Sequence, residues 1–491
     1  MKGSDTGLRV GLTFDDVLLI PKFSDIRSRK DVDTSTRFSR GITLSIPIVS
    51  ANMDTVTESG MAIAMAREGG IGVIHRFLSL EDQVSEVVKV KRSEGVLIED
   101  PITLGPDRTV REAWDVIREH DIGGILIVDS ERKVLGLVTT RDITLEDDLD
   151  LKLKAVMTPR KKLITAPKGV TLAKATEILH QHKVEKLPIL DKSGRLVGLI
   201  TSKDIMKRRR YPSATKDEKG RLRVVAAIGV TGGYNERARR LLEAGADALV
   251  VDIAHGHSSH AVEAVRRVKK EFGAVEVVAG NVATARGALD LIKAGADAVK
   301  VGVGSGSICV TRVVTGFGVP QLTAIMDSAE GARESGTPII GDGGVRNPGD
   351  VTKALAAGAS TVMIGSLFAG TEQSPGATIL REGVRYKLTR GMASLGATID
   401  RRIRERGSNQ SRDIDLIEEV AAESVPEGVE GLIPYKGKVQ DVVKQLVGGL
   451  RSGMSYSGAR TITELWKNAE FMRITSAGHK ESLPHDIQRV V

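Results

Sequence analysis

The sequence predicts an α/β protein in which a (β/α)8 barrel is interrupted by an inserted two-fold repeat. Short apolar runs alternate with helical stretches along most of the chain, which is typical of a parallel sheet. One stretch in the first half of the chain recurs at a fixed offset. Each apolar run ends in glycine or polar residues, and we expect these ends to meet on the functional face of the barrel.

About eight strand units can be counted outside the repeat. Buried parallel strands read as continuous apolar runs, here "RVVAAIGV", "ADALVVDIAHG", "VEVVAGNV", "ADAVKVGVG", "TPIIGDGG" and "STVMIGSL". "PIVSANMD" and "GGIGVIH" precede the repeat and complete the set. Helices are predicted between the runs, for example over 236–244, 259–271 and 284–294. This count favours a closed barrel over an open doubly wound sheet.

The repeat pairs "TVREAWDVIREHDIGGILIVDSERKVLGLVTTRDI" (109–143) with "TLAKATEILHQHKVEKLPILDKSGRLVGLITSKDI" (171–205). Gly136 corresponds to Gly198, so the offset is 62 residues. Each copy predicts a helix, a strand, a turn, a second strand and the start of a helix. Because one copy is too small to bury a core well, we expect the two to pack into one module.

We therefore predict a first barrel segment (1–92), the repeat module (93–207) and a second barrel segment (208–491). The basic run "KRRRYPSATKDEKGR" (207–221) is interpreted as a linker. Aromatic residues are 3% of the chain, which argues against a surface that stacks single-stranded nucleic acid. No nucleic-acid partner is expected.

The composition predicts a globular protein with a large core. Hydrophobic residues are 41% of 491 residues, and no apolar run approaches the roughly 20 residues that a membrane span needs. The N-terminus "MKGSDTGLRVGLTFDD" has no apolar signal core, so we expect a cytoplasmic protein. The net charge of +8 fits an ordinary soluble surface or an affinity for anionic ligands.

The single cysteine, Cys309, lies in the loop "VGVGSGSICVTR" (301–312). Structural cysteines usually lie in apolar runs, whereas reactive thiols favour partly exposed sites that are rich in polar donors. Cys309 is therefore a candidate nucleophile. The surrounding glycines could turn carbonyl groups inward around a monovalent cation, or lie against a flat base.

Two further glycine loops, "GDGGV" (341–345) and "IGSL" (364–367), each follow an apolar run. Late barrel strands commonly bind phosphate through such backbone N–H groups, although a tight turn is the alternative for either loop alone. Asp342 would repel a phosphate and suits ribose hydroxyls better. Together with Ser307 and Ser366, it indicates a nucleoside monophosphate.

Other nucleotide and metal motifs are missing from the sequence. No GxGxxG fingerprint opens a helix, and no Walker A lysine is present. The stretch "HGHSSH" (255–260) has no partner cysteines or second cluster, so a zinc site is not expected there.

The repeat resembles a tandem pair of CBS motifs. Each copy closes with Gly, two apolar residues, a hydroxyl residue, two more residues and Asp. The resemblance implies that an adenine or guanine nucleotide is bound through Thr139, Asp142, Thr201 and Asp204. A module with only a structural role is the alternative.

The whole chain resembles the inosine-5'-monophosphate (IMP) dehydrogenase family, which also contains guanosine monophosphate (GMP) reductase. The motifs in order are "LTFDDVLLIP", "SANMDTVTE", "GGIGVIH", the CBS pair, "VVDIAHGHS", "GNVATA", "KVGVGSGSICVTR", "GVPQLTAI", "GDGGVRNPGDVTKALAAGA", "RGMASLGA", "VPEGVEG", "GGLRSGMSYSGA" and "ESLPHDI".

This resemblance implies a covalent mechanism for the oxidation of IMP to xanthosine monophosphate. Cys309 would attack C2 of the purine, NAD would take the hydride, and Thr311 would help position the water that releases the product. The substrate-binding residues would be Ser307, Asp342, Gly343, Gly344, Gly365, Ser366, Met392 and Glu427. The cofactor-binding residues would be Asp252, Asn281 and Gly302.

The resemblance also implies a potassium ion and a symmetric assembly. The carbonyl groups of Gly304, Gly306 and Cys309 would hold the ion, with Ser482 and a neighbouring subunit's Glu481. The assembly would be a homotetramer, which nucleotides at the CBS pair could join into octamers.

The sequence departs from the dehydrogenase pattern at three places. The flap (397–424) lacks the Arg-Tyr-Phe triplet whose arginine activates water, and "SNQSRDI" places Arg412 at the arginine and Asp413 at the tyrosine. Thr389 replaces a phosphate-binding tyrosine, and Asn52 stands where reductases carry asparagine. These departures concern hydrolysis and leave hydride transfer intact.

Two alternatives follow from these departures. GMP reductase with a CBS insert shares the cysteine and the hydride step but needs no hydrolytic arginine, and it would run NADPH to GMP with loss of ammonia. The long flap and the "PHDI" tail favour the dehydrogenase. A catalytically weak purine-nucleotide sensor is the other alternative, which the intact Cys309 loop disfavours.

Overall fold

A computed structural model describes residues 8–95, 97–120, 122–144, 146–405, 418–420, 422 and 425–484. The chain divides into two compact units. The barrel unit comprises Met1–Ser93, Ser213–Asp217 and Leu222–Val491, and the inserted unit comprises Glu94–Pro212 and Glu218–Arg221.

Eight parallel strands close into a barrel, as the sequence predicts. Numbered in chain order, they are β1 (Ile48–Ser50), β2 (Ile71–Ile74), β3 (Val225–Ile228), β4 (Ala248–Asp252), β5 (Glu276–Val282), β6 (Ala298–Val301), β7 (Ile339–Asp342) and β8 (Thr361–Ile364). Each strand pairs with the next in the chain, and β8 pairs with β1 to close the ring. The (β/α)8 prediction is confirmed, and every apolar run named above forms a strand.

The remaining elements of the barrel unit surround these strands. Its helices are Ser59–Arg67, Leu80–Ser93, Tyr234–Glu243, Ser259–Phe272, Ala285–Lys293, Thr311–Thr315, Gln321–Ala332, Pro348–Ala356, Ser366–Ala369, Leu395–Glu405, Val439–Tyr456, Ile462–Asn468 and Ser476–Glu481, with 3-10 turns at Phe14–Asp16 and Arg29–Asp31. Its other strands are Val17–Leu19 with Phe471–Arg473, Thr36–Arg37 with Thr43–Leu44, and the sheet of Thr378–Arg381, Val384–Arg390 and Glu430–Pro434.

Local sequence signals fix where the barrel helices begin and end. The Thr284 hydroxyl caps the helix Ala285–Lys293 by accepting a hydrogen bond from the Gly287 N–H at 3.1 Å. In the "AGAD" and "AGAS" stretches, Gly245, Gly295 and Gly358 have φ values of 98°, 110° and 108°. Glycine adopts this left-handed backbone without steric cost, so the chain can leave each helix and enter the next strand.

Replacing Leu249 by alanine is expected to lower the free energy of unfolding by about 2–5 kcal/mol. Its side chain is fully buried in β4, and its removal leaves a cavity that the barrel cannot close. Chemical denaturation of the full chain measures the loss. Leu8→Ala is the control, since Leu8 is 82% exposed and should change stability by less than about 0.5 kcal/mol. Equal losses in the two variants would contradict the assigned core.

The inserted unit contains the predicted repeat of helix, strand, strand and helix. The first copy comprises Val110–His120, Gly124–Val128, Val134–Thr139 and Thr140–Thr144, and the second comprises Leu172–Gln181, Lys186–Leu190, Leu196–Thr201 and Ser202–Arg210. Between and beside them lie Thr103–Leu104, Leu153–Val156, Thr158–Pro159, Arg160–Lys162 and Ala166–Pro167. Its C-terminal boundary extends beyond the predicted residue 207, because the helix Ser202–Arg210 continues into the basic run that we interpret as a linker from the sequence.

No helix among the described residues is long and apolar enough to cross a membrane.

Candidate active site

The carboxyl ends of the barrel strands surround a cavity of about 550 Å³. Most of the residues predicted for the site line this one cavity: Asn281, Gly302, Gly304, Gly306, Ser307, Cys309, Thr311, Asp342, Gly343, Gly344, Gly365, Ser366, Met392 and Glu427. They come from the ends of β5, β6, β7 and β8 and from the segment after residue 389. A cavity of this size is in the range of small-molecule sites.

Cys309 begins a chain of hydrogen bonds that ends at a carboxylate. The Sγ of Cys309 lies 3.2 Å from the Oγ1 of Thr311, and this hydroxyl donates to the Oε2 of Glu427 at 2.7 Å. The N–H of Val310 also donates to the carbonyl of Glu427 at 2.8 Å, which fixes the two segments against each other. A proton on the thiol therefore has a path through Thr311 to Glu427.

The loop that carries Cys309 depends on glycine at two positions. Gly302 and Gly304 have φ values of 153° and 76°. A Cβ at Gly302 would lie 2.1 Å from the carbonyl oxygen of Asp342, and a Cβ at Gly304 would lie 2.6 Å from Arg312. Only glycine lets the loop pass this close to the end of β7.

The loop after β7 lines the same cavity with Gly343 and Gly344. Gly343 and Gly344 have φ values of 95° and 82°, and a Cβ at Gly343 would lie 2.6 Å from the hydroxyl of Ser305. The Ser305 hydroxyl donates to the Asp342 carbonyl at 3.0 Å, and the side-chain amide of Gln321 donates to it at 3.1 Å. These bonds hold the phosphate-binding candidate loop in place.

A buried charged network lies beneath the cavity. The Nζ of Lys300 on β6 is 3.0 Å from the Oδ1 of Asp252 and 3.0 Å from the Oδ2 of Asp342. It also donates to the Oδ1 of Asn281, whose amide nitrogen donates to Asp342 at 2.9 Å. Asp252 does not line the cavity, but 19% of its side chain stays exposed and Arg76 lies 3.9 Å away.

These contacts stabilise the charged forms of Asp252 and Lys300. Burial opposes ionisation of Asp252, but the charge of Lys300 outweighs it, with help from Arg76 and a hydrogen bond from Asn52. The pKa of Asp252 therefore lies below its usual value. Burial likewise opposes the charge on Lys300, but Asp342 and Asp252 raise the pKa of the ammonium group above its ordinary value.

The strand that leads to Met392 contacts the loop after β1. Arg390 forms ion pairs with Asp54 at 2.6 Å and with Asp400 at 2.7 Å. The N–H of Asp54 also donates to the Met392 sulfur at 3.3 Å. Asp400 lies on the helix Leu395–Glu405, so this ion pair joins that helix to the end of the strand Val384–Arg390.

Two of the residues predicted for the potassium site do not line the cavity of their own chain. These are Glu481 and Ser482, which are exposed at the end of the helix Ser476–Glu481. Arg412 falls outside the described residues. The "HGHSSH" stretch instead places the Nε2 of His257 3.0 Å from a carboxylate oxygen of Asp290.

The inserted unit shows the same local geometry twice. The Thr139 hydroxyl and N–H each donate to the Asp142 carboxylate at 2.7 Å. In the second copy the Thr201 hydroxyl donates to Asp204, whose pKa is raised because its carboxyl group is buried. The four predicted nucleotide-binding residues therefore form two equivalent pairs.

Lys300, Arg76 and Gln321 are parts of the site that the sequence motifs do not indicate. Lys300 carried a usable signal, because a lysine inside the apolar run "ADAVKVGVG" has to find a partner when that strand is buried. Gln321 follows a loop and shows no comparable pattern.

Comparisons with known proteins agree on one family. Residues 11–485 match the family model of the IMP dehydrogenase / GMP reductase domain. The chain is 57% identical over 477 residues to the inosine-5'-monophosphate dehydrogenase of Nitrosopumilus maritimus, covering 97% of this chain and 98% of the relative. It is 54% identical to the inosine-5'-monophosphate dehydrogenase of Aquifex aeolicus, and the match covers 98% of this chain and 96% of the relative.

Among solved structures, the fold is similar to that of GMP reductase from Trypanosoma brucei. A variant of that protein in complex with guanosine 5'-monophosphate gives a TM-score of 0.92 at 45% identity and covers 98% of this chain and 99% of that one. The same reductase in complex with guanosine 5'-triphosphate gives a TM-score of 0.81 at 42% identity and covers 96% of this chain and 99% of that one.

Proposed function

The chain belongs to the IMP dehydrogenase/GMP reductase family, and on that premise we propose that it is an IMP dehydrogenase, which oxidises IMP to xanthosine monophosphate with NAD. The observation that carries this proposal is the bonded series of Cys309, Thr311 and Glu427 in a cavity lined by glycine loops. The curated relatives at 54% and 57% identity, named as this enzyme, support it.

The nucleotide would lie across the ends of β6, β7 and β8. Backbone N–H groups at Gly344 and Gly365, with the Ser366 and Ser307 hydroxyls, suit the phosphate, since such loops bind anions without a basic side chain. The Asp342 carboxylate is an acceptor for the ribose hydroxyls. Cys309 and Met392 line the same cavity and suit the base of the nucleotide.

Cys309 forms the covalent bond to the substrate. Its proton passes to Glu427 through Thr311, and the thiolate then adds to C2 of the purine. NAD, when bound, would supply the acceptor for the hydride of C2, and the oxidised purine would remain joined to Cys309 as a thioimidate. Asn281 and Gly302 line the cavity beside this point, and with Asp252 they suit the ribosyl hydroxyls and amide of the cofactor.

Water then releases the product. It adds to C2, one proton leaves with a base, and the C–S bond breaks to give xanthosine monophosphate and the free thiol. Thr311 lies beside the sulfur and suits holding this water. Glu427, once it has released the thiol proton to solvent, can accept the proton of the water and return it through Thr311 to the sulfur as the C–S bond breaks. Arg412 is the flap candidate for the same task.

We also propose a potassium ion at the Cys309 loop. The carbonyl groups of Gly304, Gly306 and Cys309 belong to one loop, which closes a tight turn from Gly306 to Cys309. Neutral carbonyl oxygens are ligands that suit a monovalent cation. Glu481 and Ser482 are exposed on their own chain and would act on a neighbouring subunit of a homotetramer. Replacing potassium chloride with lithium chloride at constant ionic strength is expected to lower the turnover number. An unchanged steady-state rate would contradict the ion site.

The inserted unit is proposed to be a CBS pair that binds adenine or guanine nucleotides and can join tetramers into octamers. Saturating ATP or GTP, at a hundredfold excess over its Kd, is expected to stabilise this unit by about 2.7 kcal/mol. The double variant Asp142→Ala, Asp204→Ala should lose the effect, because its two hydroxyl–carboxylate pairs are broken. Differential scanning calorimetry measures this stabilisation. If the stabilisation persists in the variant, Asp142 and Asp204 do not bind the nucleotide.

The assay of choice presents purified enzyme with either IMP and NAD or GMP and NADPH. The proposal predicts that NADH absorbance rises with the first pair and that xanthosine monophosphate accumulates. NADPH oxidation with GMP, without NADH formation from IMP, would instead assign GMP reductase. Two observations favour GMP reductase as the second candidate function. Asn52, which stands where reductases carry asparagine, hydrogen-bonds Asp252, and the chain resembles solved GMP reductases. Binding of purine nucleotides with neither turnover would assign the sensor.

A further inference from the structure

Lys300 is a buried lysine whose contacts join four neighbouring strands of the barrel. It lies on β6 and is only 3% exposed. Its ammonium group contacts Asp252 at the end of β4, Asn281 in β5 and Asp342 at the end of β7. It does not line the cavity, so it cannot touch the substrate directly.

The two carboxylates that Lys300 contacts belong to different parts of the proposed site. Asp342 lines the cavity and is assigned to the substrate ribose, whereas Asp252 is assigned to the cofactor. Asn281 lies between them and donates to Asp342 at 2.9 Å and to the Gly302 carbonyl at 2.8 Å. One ammonium group is therefore bonded to the residues of both halves of the site.

Without the ammonium group, this arrangement would not be stable. Two carboxylates facing one buried point repel each other, and a buried charge is costly unless it is paired. Lys300 compensates one negative charge and occupies one oxygen of each carboxylate. The Oδ1 of Asp342, which lines the cavity, is thereby left to accept hydrogen bonds from hydroxyl groups, whereas the Oδ2 of Asp252 faces Arg76 at 3.9 Å.

We propose that Lys300 is a positioning residue that orients Asp252 and Asp342 together and so sets the affinity for both the nucleotide and the dinucleotide. This inference rests on the proposed function, because it uses the assignment of the two carboxylates to IMP and to NAD. It predicts that one substitution outside the cavity weakens the binding of two different ligands.

The test compares two buried lysines that have the same chemistry. Lys91 also bridges two aspartates, at 2.6 Å from Asp247 and 3.1 Å from Asp217, and its side chain is 4% exposed. Asp247 immediately precedes β4 and Asp252 ends it, so the two networks lie at opposite ends of one strand. Lys91→Met therefore matches Lys300→Met in lost charge and burial but lies away from the cavity.

Calorimetric titration with IMP alone gives its Kd, and steady-state kinetics at saturating IMP give the KM for NAD. Lys300→Met is expected to raise both constants about tenfold, the scale of losing hydrogen bonds to charged groups. Lys91→Met should change neither, although both variants should unfold at lower temperature. Lys300→Arg retains the charge and should restore both constants to within about threefold of wild type.

Unchanged constants in Lys300→Met would overturn the proposal, and so would equal increases in Lys91→Met. If Lys300→Met does not fold, Lys300→Gln retains a hydrogen-bond donor and is expected to show the same tenfold increases. Wild-type enzyme that does not bind IMP at all would instead refute the proposed function, so the two failures are distinguishable.

Discussion

Replacing Cys309 by alanine is expected to abolish NADH formation from IMP while leaving the binding of IMP intact. The thiol is the strongest nucleophile among the described residues that line the cavity, and losses on the order of 10⁶-fold accompany removal of a covalent nucleophile. The phosphate loops and Asp342 are unaffected, so the Kd for IMP should stay close to that of wild type.

Two measurements separate this result from a folding defect. Calorimetric titration reports the Kd for IMP, and stopped-flow absorbance reports whether any NADH forms in a first turnover. Cys309→Ser tests whether an oxygen nucleophile can substitute, and it should be nearly as inactive because the serine hydroxyl is far less acidic than the thiol. Turnover within tenfold of wild type in Cys309→Ala would refute covalent catalysis.

Replacing Glu427 by glutamine is expected to slow the reaction by about 10²–10⁴-fold, the usual contribution of a general base. The amide has nearly the shape of the carboxylate and can still contact Thr311, but it cannot accept a proton. Because the Cys309 proton reaches Glu427 through Thr311, the first-turnover burst of NADH should slow along with the steady state. Stopped-flow and steady-state assays measure the two rates.

Glu382→Gln is the control for this variant, since Glu382 is an exposed carboxylate on a hairpin and should leave both rates unchanged. Thr311→Val breaks the same path from the other side, so the double variant should lose no more activity than the more damaging single one. An unaltered burst in Glu427→Gln would mean that the carboxylate acts on water alone and that the thiol is deprotonated by another route.

Much of the fold and part of the site could be predicted because the signals are local. Each barrel strand is an apolar run bounded by glycine or polar residues, and the "AGAD" stretches mark the ends of helices. The glycine loops around Cys309 and Asp342 follow strands directly, so strand prediction also places them on one face of the barrel. The repeat was visible as identity at a fixed offset.

The parts of the site that the sequence does not predict depend on contacts between residues that are far apart in the chain. The partner of Thr311 is Glu427, on a segment 116 residues away, and no spacing rule connects them. Lys300 was visible as a charge in an apolar strand, but its bridging of Asp252 and Asp342 follows only from the order of the barrel strands. Phe14, from the beginning of the chain, also lines the cavity without any sequence signal for doing so.

The most direct test of the account is to trap the covalent intermediate. Enzyme mixed with IMP and NAD is quenched in acid within the first turnover, digested, and examined by mass spectrometry. The covalent mechanism predicts that the peptide containing Cys309 gains the mass of IMP less two hydrogen atoms, because the C2 hydride and the thiol proton have both left. It also predicts that Glu427→Gln alters how much of this peptide accumulates. NADH formed at the normal rate, with the Cys309 peptide unmodified at every quench time, would contradict it.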